Sequence, residues 1–353
     1  MSLTVLSVAY PLAPVGPDAV GGAEQVLSHL DRALTQAGHR SLVIACEGSS
    51  THGQLIEVPR EAGPLDDAAR ARAWARHRAA IIGALERWPA DLVHLHGIDF
   101  DAYLPPPGVP ALATLHLPPS WYPPEALRPE RPDTWLHCVS QAQAKACPPG
   151  PNLLPPIPNG VPVAELAACH AKRSFALVLG RVCPEKGIHL AIEAAKKADV
   201  PLLIAGEVFA YEAHRCYFEE EVLPRLDRAR RFLGPVGFRR KRRLLTAARC
   251  LLVPSLAPET SSLVAREALA CGTPVVALPN GALRETIEDG VTGFLVDDVD
   301  GMAEAIRRAP KLDPEECRSI ARERFSLERM IERYFAVYHQ LAAGRALAQR
   351  PAA

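Results

Sequence analysis

The sequence predicts an α/β protein with two lobes, each a doubly wound parallel sheet. Short apolar runs alternate with helical patterns along the chain, which is typical of parallel sheets covered by helices. Half of the 34 prolines lie between Pro105 and Pro162, and the charge changes sign across this stretch. The first 162 residues carry 11 Lys+Arg and 15 Asp+Glu, whereas the rest carry 29 and 25. We therefore divide the chain into a first lobe (1–162), a second lobe (163–312) and a C-terminal helical segment (313–353).

The elements of the first lobe follow from its apolar patterns. Residues 23–37 are predicted to be helical, because apolar side chains recur at intervals of three and four and a glycine follows. Residues 66–88 show the same spacing, with two tryptophans and two isoleucines on one face. The predicted strands are Leu3–Ala9, Leu42–Ala45, Asp91–Leu95, Ala111–Leu115 and Trp135–Val139.

The second lobe repeats this alternation. Each predicted strand is a short run of aliphatic residues, and each is followed by a segment with helical spacing. The predicted strands are Phe175–Leu179, Pro201–Ala205, Arg231–Leu233, Cys250–Val253 and Val275–Leu278. The predicted helices are Gly187–Ala198, residues 212–228, Lys241–Ala248, Leu263–Ala270 and residues 313–344.

Composition excludes several classes of protein. Hydrophobic residues make up 48% and charged residues 23%, which is usual for a chain that forms a core, and the zero net charge argues against a nucleic-acid partner. The nine cysteines are scattered, with no zinc-ligand spacing and no disulfide framework, which is typical of a reducing compartment. No apolar stretch approaches the ~20 residues of a membrane span. We therefore expect a cytoplasmic protein with no metal site and no cofactor.

A charged turn follows the first strand of the second lobe. Gly180-Arg181-Val182-Cys183-Pro184-Glu185-Lys186-Gly187 lies after an apolar run and opens a helix. In a parallel sheet this is the carboxyl edge, where ligands bind. Two cations beside the free amides of a helix start make an anion site suited to phosphate. The alternative is an ordinary turn with solvated charges.

Two glutamates follow the strand at residues 250–253. Glu259 lies in the loop after it and Glu267 lies about one turn into the next helix, so both can reach one bound molecule. Carboxylates accept hydrogen bonds from the vicinal hydroxyls of ribose and hexoses. Thr260, Ser261 and Ser262 precede the helix, where backbone amides can point at a ligand.

These motifs resemble the retaining glycosyltransferases of the GT-B fold, glycosyltransferase family 4 or group 1. The likeness is strongest over residues 174–297 and fainter in the first lobe. It rests on the turn at 180–187, LLIAG at 202–206, FLG at 232–234, the string from Pro254 to Val276 and DGVTGFLV at 289–296, with GGAE at 21–24, DLVHLHG at 91–97, TLH at 114–116, VS at 139–140 and PNGV at 158–161.

The resemblance implies two Rossmann-like lobes facing a cleft, with a C-terminal helix that can pack back on the first lobe. It also implies a nucleotide-diphosphate sugar as donor, without a metal. Arg181 and Lys186 would hold the diphosphate and stabilise the leaving group. Glu267 would bind the ribose hydroxyls. Glu259, with the amides near Ser262 and Leu263, would contact the transferred sugar. Gly21 and Gly22 would approach the phosphates, and His116 would face the donor sugar or the reacting centre.

Acceptor-side candidates lie in the first lobe. Glu24 begins a helix, where it is either a base or, as we favour, a charge that suits the helix terminus. His96 ends a predicted strand together with His94, and alternation puts both on one face, where they can equally be structural. Trp121 and Tyr122 lie in a proline-rich segment that is either an acceptor wall or a rigid surface loop.

Partners and reaction leave alternatives. The acceptor is a glycan, a lipid-linked sugar or a small molecule. The basic run Arg239–Arg243 and the arginines around Trp74 permit a peripheral contact with anionic membrane lipids, although a solvated helix face is the interpretation we favour. A sugar-nucleotide epimerase or hydrolase of the same fold, and a non-catalytic protein that binds a glycan or a true transferase, are the alternative functions.

Overall fold

A computed structural model describes residues 2–61, 63, 65–168 and 170–344. These form two compact units. The first comprises residues up to 158 and those from 330 onward, and the second comprises residues 159–329. The unit boundaries therefore differ from the predicted 162 and 312, and residues 345–353 of the predicted C-terminal segment lie outside the described residues.

The first unit is built on a parallel sheet. Its described strands run in the order β3-β2-β1-β4-β5-β6-β7, so that β2 and β3 are added on one side of β1 and β4 to β7 on the other, with the reversal point between β1 and β4. Their bounds are β1 (Thr4–Val8), β2 (Arg40–Cys46), β3 (Gln54–Val58), β4 (Leu92–Leu95), β5 (Ala111–Leu115), β6 (Thr134–Cys138) and β7 (Leu153–Leu154). The two that the apolar pattern did not predict, β3 and β7, are the edge strands. β3 is largely half-exposed and β7 has only two residues, so neither carries a continuous apolar run.

Helices cover this sheet. The helix at residues 22–36 has a strongly one-sided apolar face, and the one at 67–87 is capped by the Asp66 side chain, which accepts from the Ala69 amide. The described helices of this part are α1 (Gly22–Gln36), α2 (Asp67–Arg87) and α3 (Gln141–Ala146).

The last helix returns to the first unit. It runs from Leu327 to Ala342, and Tyr334 and Tyr338 are fully buried. The Tyr338 hydroxyl lies 2.7 Å from Nδ1 of His94 in β4. The predicted packing of the C-terminal helix on the first lobe is therefore confirmed.

The second unit repeats the topology. Within the residues described, its parallel strands run in the order β10-β9-β8-β11-β12-β13, with the reversal between β8 and β11. The Rossmann-like arrangement predicted for both lobes is thus confirmed. The strands are β8 (Ala176–Leu179), β9 (Leu202–Ala205), β10 (Arg230–Phe232), β11 (Cys250–Val253), β12 (Val275–Ala277) and β13 (Gly293–Leu295).

Two predicted helices of the second unit differ from the structure, and the helices at Val163–Leu166, Leu283–Thr286 and Val299–Arg308 were not predicted. The segment 212–228 is one short α-helix followed by a π-helical turn and a 3₁₀ turn, because Pro224 interrupts the ladder. The tail 313–344 is broken near Phe325 into two helices. The helices are α4 (Val163–Leu166), α5 (Ile188–Lys197), α6 (Glu212–Tyr217), α7 (Phe238–Ala247), α8 (Leu263–Ala270), α9 (Leu283–Thr286), α10 (Val299–Arg308) and α11 (Pro314–Arg324), before α12 (Leu327–Ala342).

Two segments at the limits of the second unit are joined to each other. The Val161 amide donates to the Phe325 carbonyl at 2.8 Å, and the Leu327 amide donates back to the Val161 carbonyl at 3.0 Å. Arg266 is fully buried, donates to the Asn159 carbonyl and lies 4.8 Å over the Phe325 ring. These bonds place both crossing segments on the second unit and explain why its boundaries lie at 159 and 329.

Two further features concern the helices and the cysteines. None of the described helices combines the length and the apolar character that crossing a membrane requires. The eight cysteines that the structure describes are free thiols, and Cys169 lies outside the described residues.

Candidate functional site

The reversal point of the second sheet brings together the two predicted ligand segments. β8 and β11 are neighbours, and their connections leave towards opposite sides of the sheet. Such a point opens a crevice at the carboxyl ends of the strands. The turn 180–187 follows β8 and the loop 254–262 follows β11, so the fold places both at this crevice.

A close contact locks the turn against the loop. Gly187 has φ +59°, in the left-handed region, and a side chain there would collide with the Pro254 carbonyl. The Leu256 amide donates to the Glu185 carbonyl at 2.8 Å. A glycine is therefore required at position 187, both for its left-handed backbone conformation and because there is no room for a side chain.

Glu259 lies within a set of polar partners. Its Oε1 accepts from the Lys186 ammonium at 2.5 Å and from the Ser255 hydroxyl at 2.5 Å. Burial alone would raise the pKa of the Glu259 carboxyl, but Lys186, the Ser255 hydroxyl and the charge of Arg181 together hold that pKa below its ordinary value. Glu259 is thus a carboxylate at neutral pH and accepts hydrogen bonds.

The backbone around Glu259 is held from the next strand connection. Glu259 and Gly281 form an isolated parallel bridge, and the Ala282 amide donates to the Glu259 carbonyl at 2.8 Å. The Asn280 side chain donates to the Ser255 carbonyl at 2.7 Å. The carboxylate position is therefore fixed by residues after both β11 and β12.

Unpartnered hydroxyls mark the start of α8. Ser262 precedes the helix with φ +54°, an uncommon conformation for a residue with a side chain. The hydroxyls of Ser261 and Ser262 are buried and have no partner in the structure. The first amides of α8, from Leu263 on, also lack partners within the helix. Buried donors without partners at the crevice suit a ligand that is rich in oxygen.

The second glutamate is held by a lysine. Glu267 is buried, and its Oε1 lies 2.5 Å from the Lys241 ammonium of α7. This contact fixes one carboxylate oxygen of Glu267, and the other keeps its lone pairs for further donors.

Arg181 has a different environment from Lys186. It is half-buried at the end of β8, and within the described part of the chain no carboxylate lies within ion-pair distance of its guanidinium. Its charge still acts on Glu259, so it lies near the same centre. A guanidinium that is not neutralised can bind an anion with two parallel hydrogen bonds.

In the first unit the predicted residues lie at the carboxyl edge of its own sheet. Gly21 precedes α1 and Gly22 begins it, so their amides belong to a helix start after β1. Glu24 is buried in the first turn of α1, and a side chain on Gly21 would collide with its carboxylate. This geometry matches the role of Glu24 as a helix-terminal charge.

Two predicted histidines are in contact with each other. His96 follows β4 and His116 follows β5, and their rings stack with Nδ1 of His96 3.1 Å from Nε2 of His116. Nε2 of His96 is buried without a partner. Burial, together with the smaller effect of the neighbouring His137, lowers the pKa of His116 to about 3. Both rings are therefore neutral at pH 7.

His94 has a structural role. Its Nδ1 contacts the Tyr338 hydroxyl and its Nε2 lies 2.7 Å from the Thr114 hydroxyl, which also lies 2.7 Å from Nε2 of His137. Both ring nitrogens of His94 therefore have partners, and the ring joins two strands to the last helix.

The two aromatic candidates lie in different surroundings. Trp121 is 42% exposed, whereas Tyr122 is buried, packs against Phe100 and accepts from the Leu117 amide at 3.3 Å. Trp121 is therefore accessible to a ligand, whereas Tyr122 is part of the core and holds the backbone at Leu117.

One group of side chains has the chemistry of a metal site. Cys183, Glu185 and His214 each bring one ligand atom to within 4.8 Å of the others, although their sequence spacing gives no such signal. Burial and the nearby charge of Arg181 lower the pKa of His214. The same positive charge opposes the binding of a cation, so the group fits a metal poorly.

Two further residues of the site were not predicted as site residues. Ser255 holds Glu259 and Lys241 holds Glu267. For Lys241 a signal existed: it lies three and four residues before Leu244 and Leu245, so helical spacing puts it on their buried face rather than among the solvated arginines.

Comparison with known proteins agrees with this architecture. The family model described as Glycosyl transferases group 1 matches residues 173–310, and that described as Glycosyltransferase Family 4 matches residues 20–164. The phosphatidyl-myo-inositol mannosyltransferase of Mycolicibacterium smegmatis is 35% identical over 164 residues, which are 42% of this chain and 41% of that protein. The chain thus spans about two fifths of that relative's length.

Solved structures match over nearly the whole chain. AviGT4, a glycosyltransferase involved in avilamycin A biosynthesis, is 27% identical with a TM-score of 0.72, covering 97% of this chain and 98% of its own. Anabaena Alr3699/HepE in complex with UDP-glucose is 19% identical with a TM-score of 0.75, covering 96% and 100%. With a family model on each unit, these matches show that the chain belongs to the group 1 glycosyltransferases of family 4, with the GT-B fold.

Proposed function

We propose that this chain transfers a sugar from a nucleotide-diphosphate donor to an acceptor, with retention of anomeric configuration and without a metal. The observation that carries the proposal is the cluster at the reversal point of the second sheet. There Arg181 has no carboxylate partner among the residues that the structure describes, and Lys186 is paired with the buried Glu259. AviGT4 is described as a glycosyltransferase and HepE is described in complex with UDP-glucose, which supports the same chemistry.

Arg181 and Lys186 supply the electrostatic part of the reaction. When the bond between the sugar and the diphosphate breaks, negative charge grows on the phosphate oxygens. Two fixed cations beside them stabilise this growing charge in the transition state more than they stabilise the bound donor in its ground state. Lys186 is already oriented by Glu259 before a donor binds, so little reorganisation is required. These cations take the role that a divalent metal has in other transferases.

The glutamates and the helix start hold the sugars of the donor. Glu267, fixed by Lys241, accepts hydrogen bonds from the ribose hydroxyls, and Glu259 accepts from hydroxyls of the transferred sugar. The amides at the start of α8 and the hydroxyls of Ser261 and Ser262 complete the set of partners. Glu259 is paired with a lysine, which makes it a poor nucleophile, so we place no covalent intermediate on it.

The first unit takes the acceptor in this proposal. His116 and His96 are neutral and therefore accept or donate one hydrogen bond at each nitrogen. Trp121 is the exposed aromatic candidate for stacking on a sugar ring. The identity of the acceptor, and a peripheral contact with anionic lipid, stay predictions.

Binding of the donor diphosphate is tested by calorimetry with UDP, GDP, ADP and dTDP. We expect one of them to bind, and Arg181→Ala to weaken it at least about tenfold, because a charged hydrogen-bond donor is removed. Arg239→Ala removes an exposed arginine of the same unit and provides the control. Unchanged affinity in Arg181→Ala would refute the donor assignment.

The reaction itself is tested by proton NMR of the anomeric signals with the bound donor and a panel of sugar acceptors. We expect a product with the donor's anomeric configuration and a rate that EDTA leaves unchanged. An inverted product would refute retention, and loss of the rate in EDTA would refute metal independence. Free sugar or an epimer formed without an acceptor would instead identify a hydrolase or an epimerase.

A further inference from the structure

A second concentration of positive charge lies at the opposite edge of the second sheet. A groove of about 800 Å³ is lined by residues that precede β8, β9 and β10, including Phe175, Pro201 and Ala229, and by one side of α7. These are the amino-terminal ends of the strands. The Arg181 and Glu259 cluster lies beyond the carboxyl ends, and a strand of four residues separates the two edges by roughly 13 Å. The groove is therefore not part of the proposed donor site.

Arginines without acidic partners line this groove. All are exposed, and in the described portion of the chain none of their side chains forms an ion pair or lies beside a carboxylate in the groove wall. The nearest acidic residue in sequence, Asp227, is engaged by the Arg230 side chain and by the Ala229 and Arg230 amides. The arginines of the groove are Arg173, Arg228, Arg231, Arg240 and Arg243.

The fold holds these side chains together rather than leaving them on separate surfaces. Arg240 and Arg243 lie on α7, and the Arg173 amide donates to the Ala247 carbonyl at the end of that helix at 2.7 Å. Arg228 and Arg231 flank the start of β10, which pairs with β9. Five guanidinium groups around one groove repel one another, and an anion that carries several charges removes that repulsion.

The apolar side chains in the walls of the groove indicate a second property of the ligand. Phe175, Leu203 and Leu244 contribute partly buried apolar surface next to the arginines. Guanidinium groups match phosphate oxygens with two parallel hydrogen bonds, and apolar side chains favour contact with an organic ring or chain. A concave groove of this size encloses a discrete molecule rather than the plane of a bilayer.

We propose that this arginine groove binds a small organic anion that carries two or more phosphate groups, at a site separate from the donor site. Its affinity is expected to fall as salt is added, because exposed charges are screened. The run Arg239–Arg243 thus contributes two of its members to a molecular site, and the predicted membrane contact is the competing source of the same phosphate chemistry.

The test uses inorganic pyrophosphate and triphosphate as probes on the full chain. Hydrogen exchange with mass spectrometry is expected to show protection by the probe in residues 171–175 and 228–247, together with a separate protected region near the donor turn. Arg240→Gln/Arg243→Gln should abolish the first region and weaken that binding event at least about tenfold in calorimetry, while leaving the second region intact. The control, Arg78→Gln/Arg239→Gln, changes the net charge equally with no residue from the groove.

Three results would overturn the proposal. One is the absence of probe-dependent protection in residues 171–175 and 228–247. Another is equal protection in the groove variant and in wild type. The last is binding of phosphatidylglycerol vesicles that depends on Arg240 and Arg243 when neither pyrophosphate nor triphosphate binds the groove, because this would assign the arginines to a lipid surface. Thermal unfolding of each variant confirms that the fold is retained.

Discussion

At the scale of single residues, the candidate site depends on ion pairs between side chains that the residue types alone do not predict. The types of Arg181, Lys186, Glu259 and Glu267 and their order are visible in the sequence, and with them the anionic and hydroxyl-rich nature of the ligand. In the described residues Lys186 pairs with Glu259, whereas Arg181 has no such partner. This difference arises because two loops from neighbouring strands come into contact. Such a contact has no trace in local spacing.

Buried histidines predict a pH dependence of stability in the first unit. Burial lowers the pKa of His94 and His96 well below 6.5 and that of His137 to about 4. The unfolded chain therefore binds protons below about pH 6.5 that the folded chain does not, so stability is complete above that pH and is lost as the pH falls. At pH 5, protonation of His137 in the unfolded chain alone costs about 2 kcal/mol of stability, and His94 and His96 act in the same direction.

Thermal unfolding at pH 7.5, 6.0 and 5.0 measures this effect. The melting temperature of the first unit should fall steeply between pH 6.0 and 5.0. His96→Asn should reduce by about one the number of protons taken up on unfolding in that range. His170→Asn, at an exposed position of the second unit, is the control. A melting temperature that stays level down to pH 5 would rule out this role for the buried imidazoles.

At the scale of elements, strong apolar runs were predicted well and weak or strained ones were not. The central strands β1, β4, β8 and β11 are almost entirely buried, and most of their residues are aliphatic. The edge strand β3 is half-exposed, so it lacks that signal. The turn before α5 was predicted from its glycine, but the collision that makes Gly187 necessary comes from the Pro254 carbonyl, 67 positions along the chain.

Gly187→Ala tests this turn. The substitution puts a side chain in the left-handed region and against backbone, so it should destabilise the second unit by more than the roughly 1–2 kcal/mol of the conformational term alone. Gly234→Ala is the matched control, since Gly234 has φ +70° with open space around it. Urea unfolding and nucleoside diphosphate affinity measure both variants. Equal destabilisation by the two would show that the contact with Pro254 is unimportant.

At the scale of the whole molecule, the last helix belongs to the unit that the chain builds first. A chain ending at Arg329 retains every strand of both sheets but lacks Tyr334 and Tyr338, which contact Thr114 and His94 in the first unit. We expect scanning calorimetry to show that the transition of the first unit is lost, while the second unit still melts cooperatively and still responds to a nucleoside diphosphate.

A milder variant makes that prediction sharper. Tyr334→Phe/Tyr338→Phe keeps the helix and its apolar contacts. It removes the hydroxyl that Nδ1 of His94 contacts and one of the three contacts of the Thr114 hydroxyl, so it should lower the first transition by an intermediate amount. Tyr211→Phe, in the second unit, serves for comparison. An undisturbed first transition in the shortened chain would mean that residues 2–158 fold without the helix.

The bonds between Val161 and the residues around Ser326 make the second unit an insertion with adjoining ends. A single continuous stretch, residues 159–329, enters and leaves through neighbouring points, and both described ends of the chain lie in the other unit. Such a stretch can be exchanged as one cassette between related chains, provided that the Asn159–Val161 and Phe325–Leu327 segments are exchanged with it. If the second unit binds the donor and the first binds the acceptor, as proposed, the recipient would gain the donor specificity of the inserted unit and retain its own acceptor specificity.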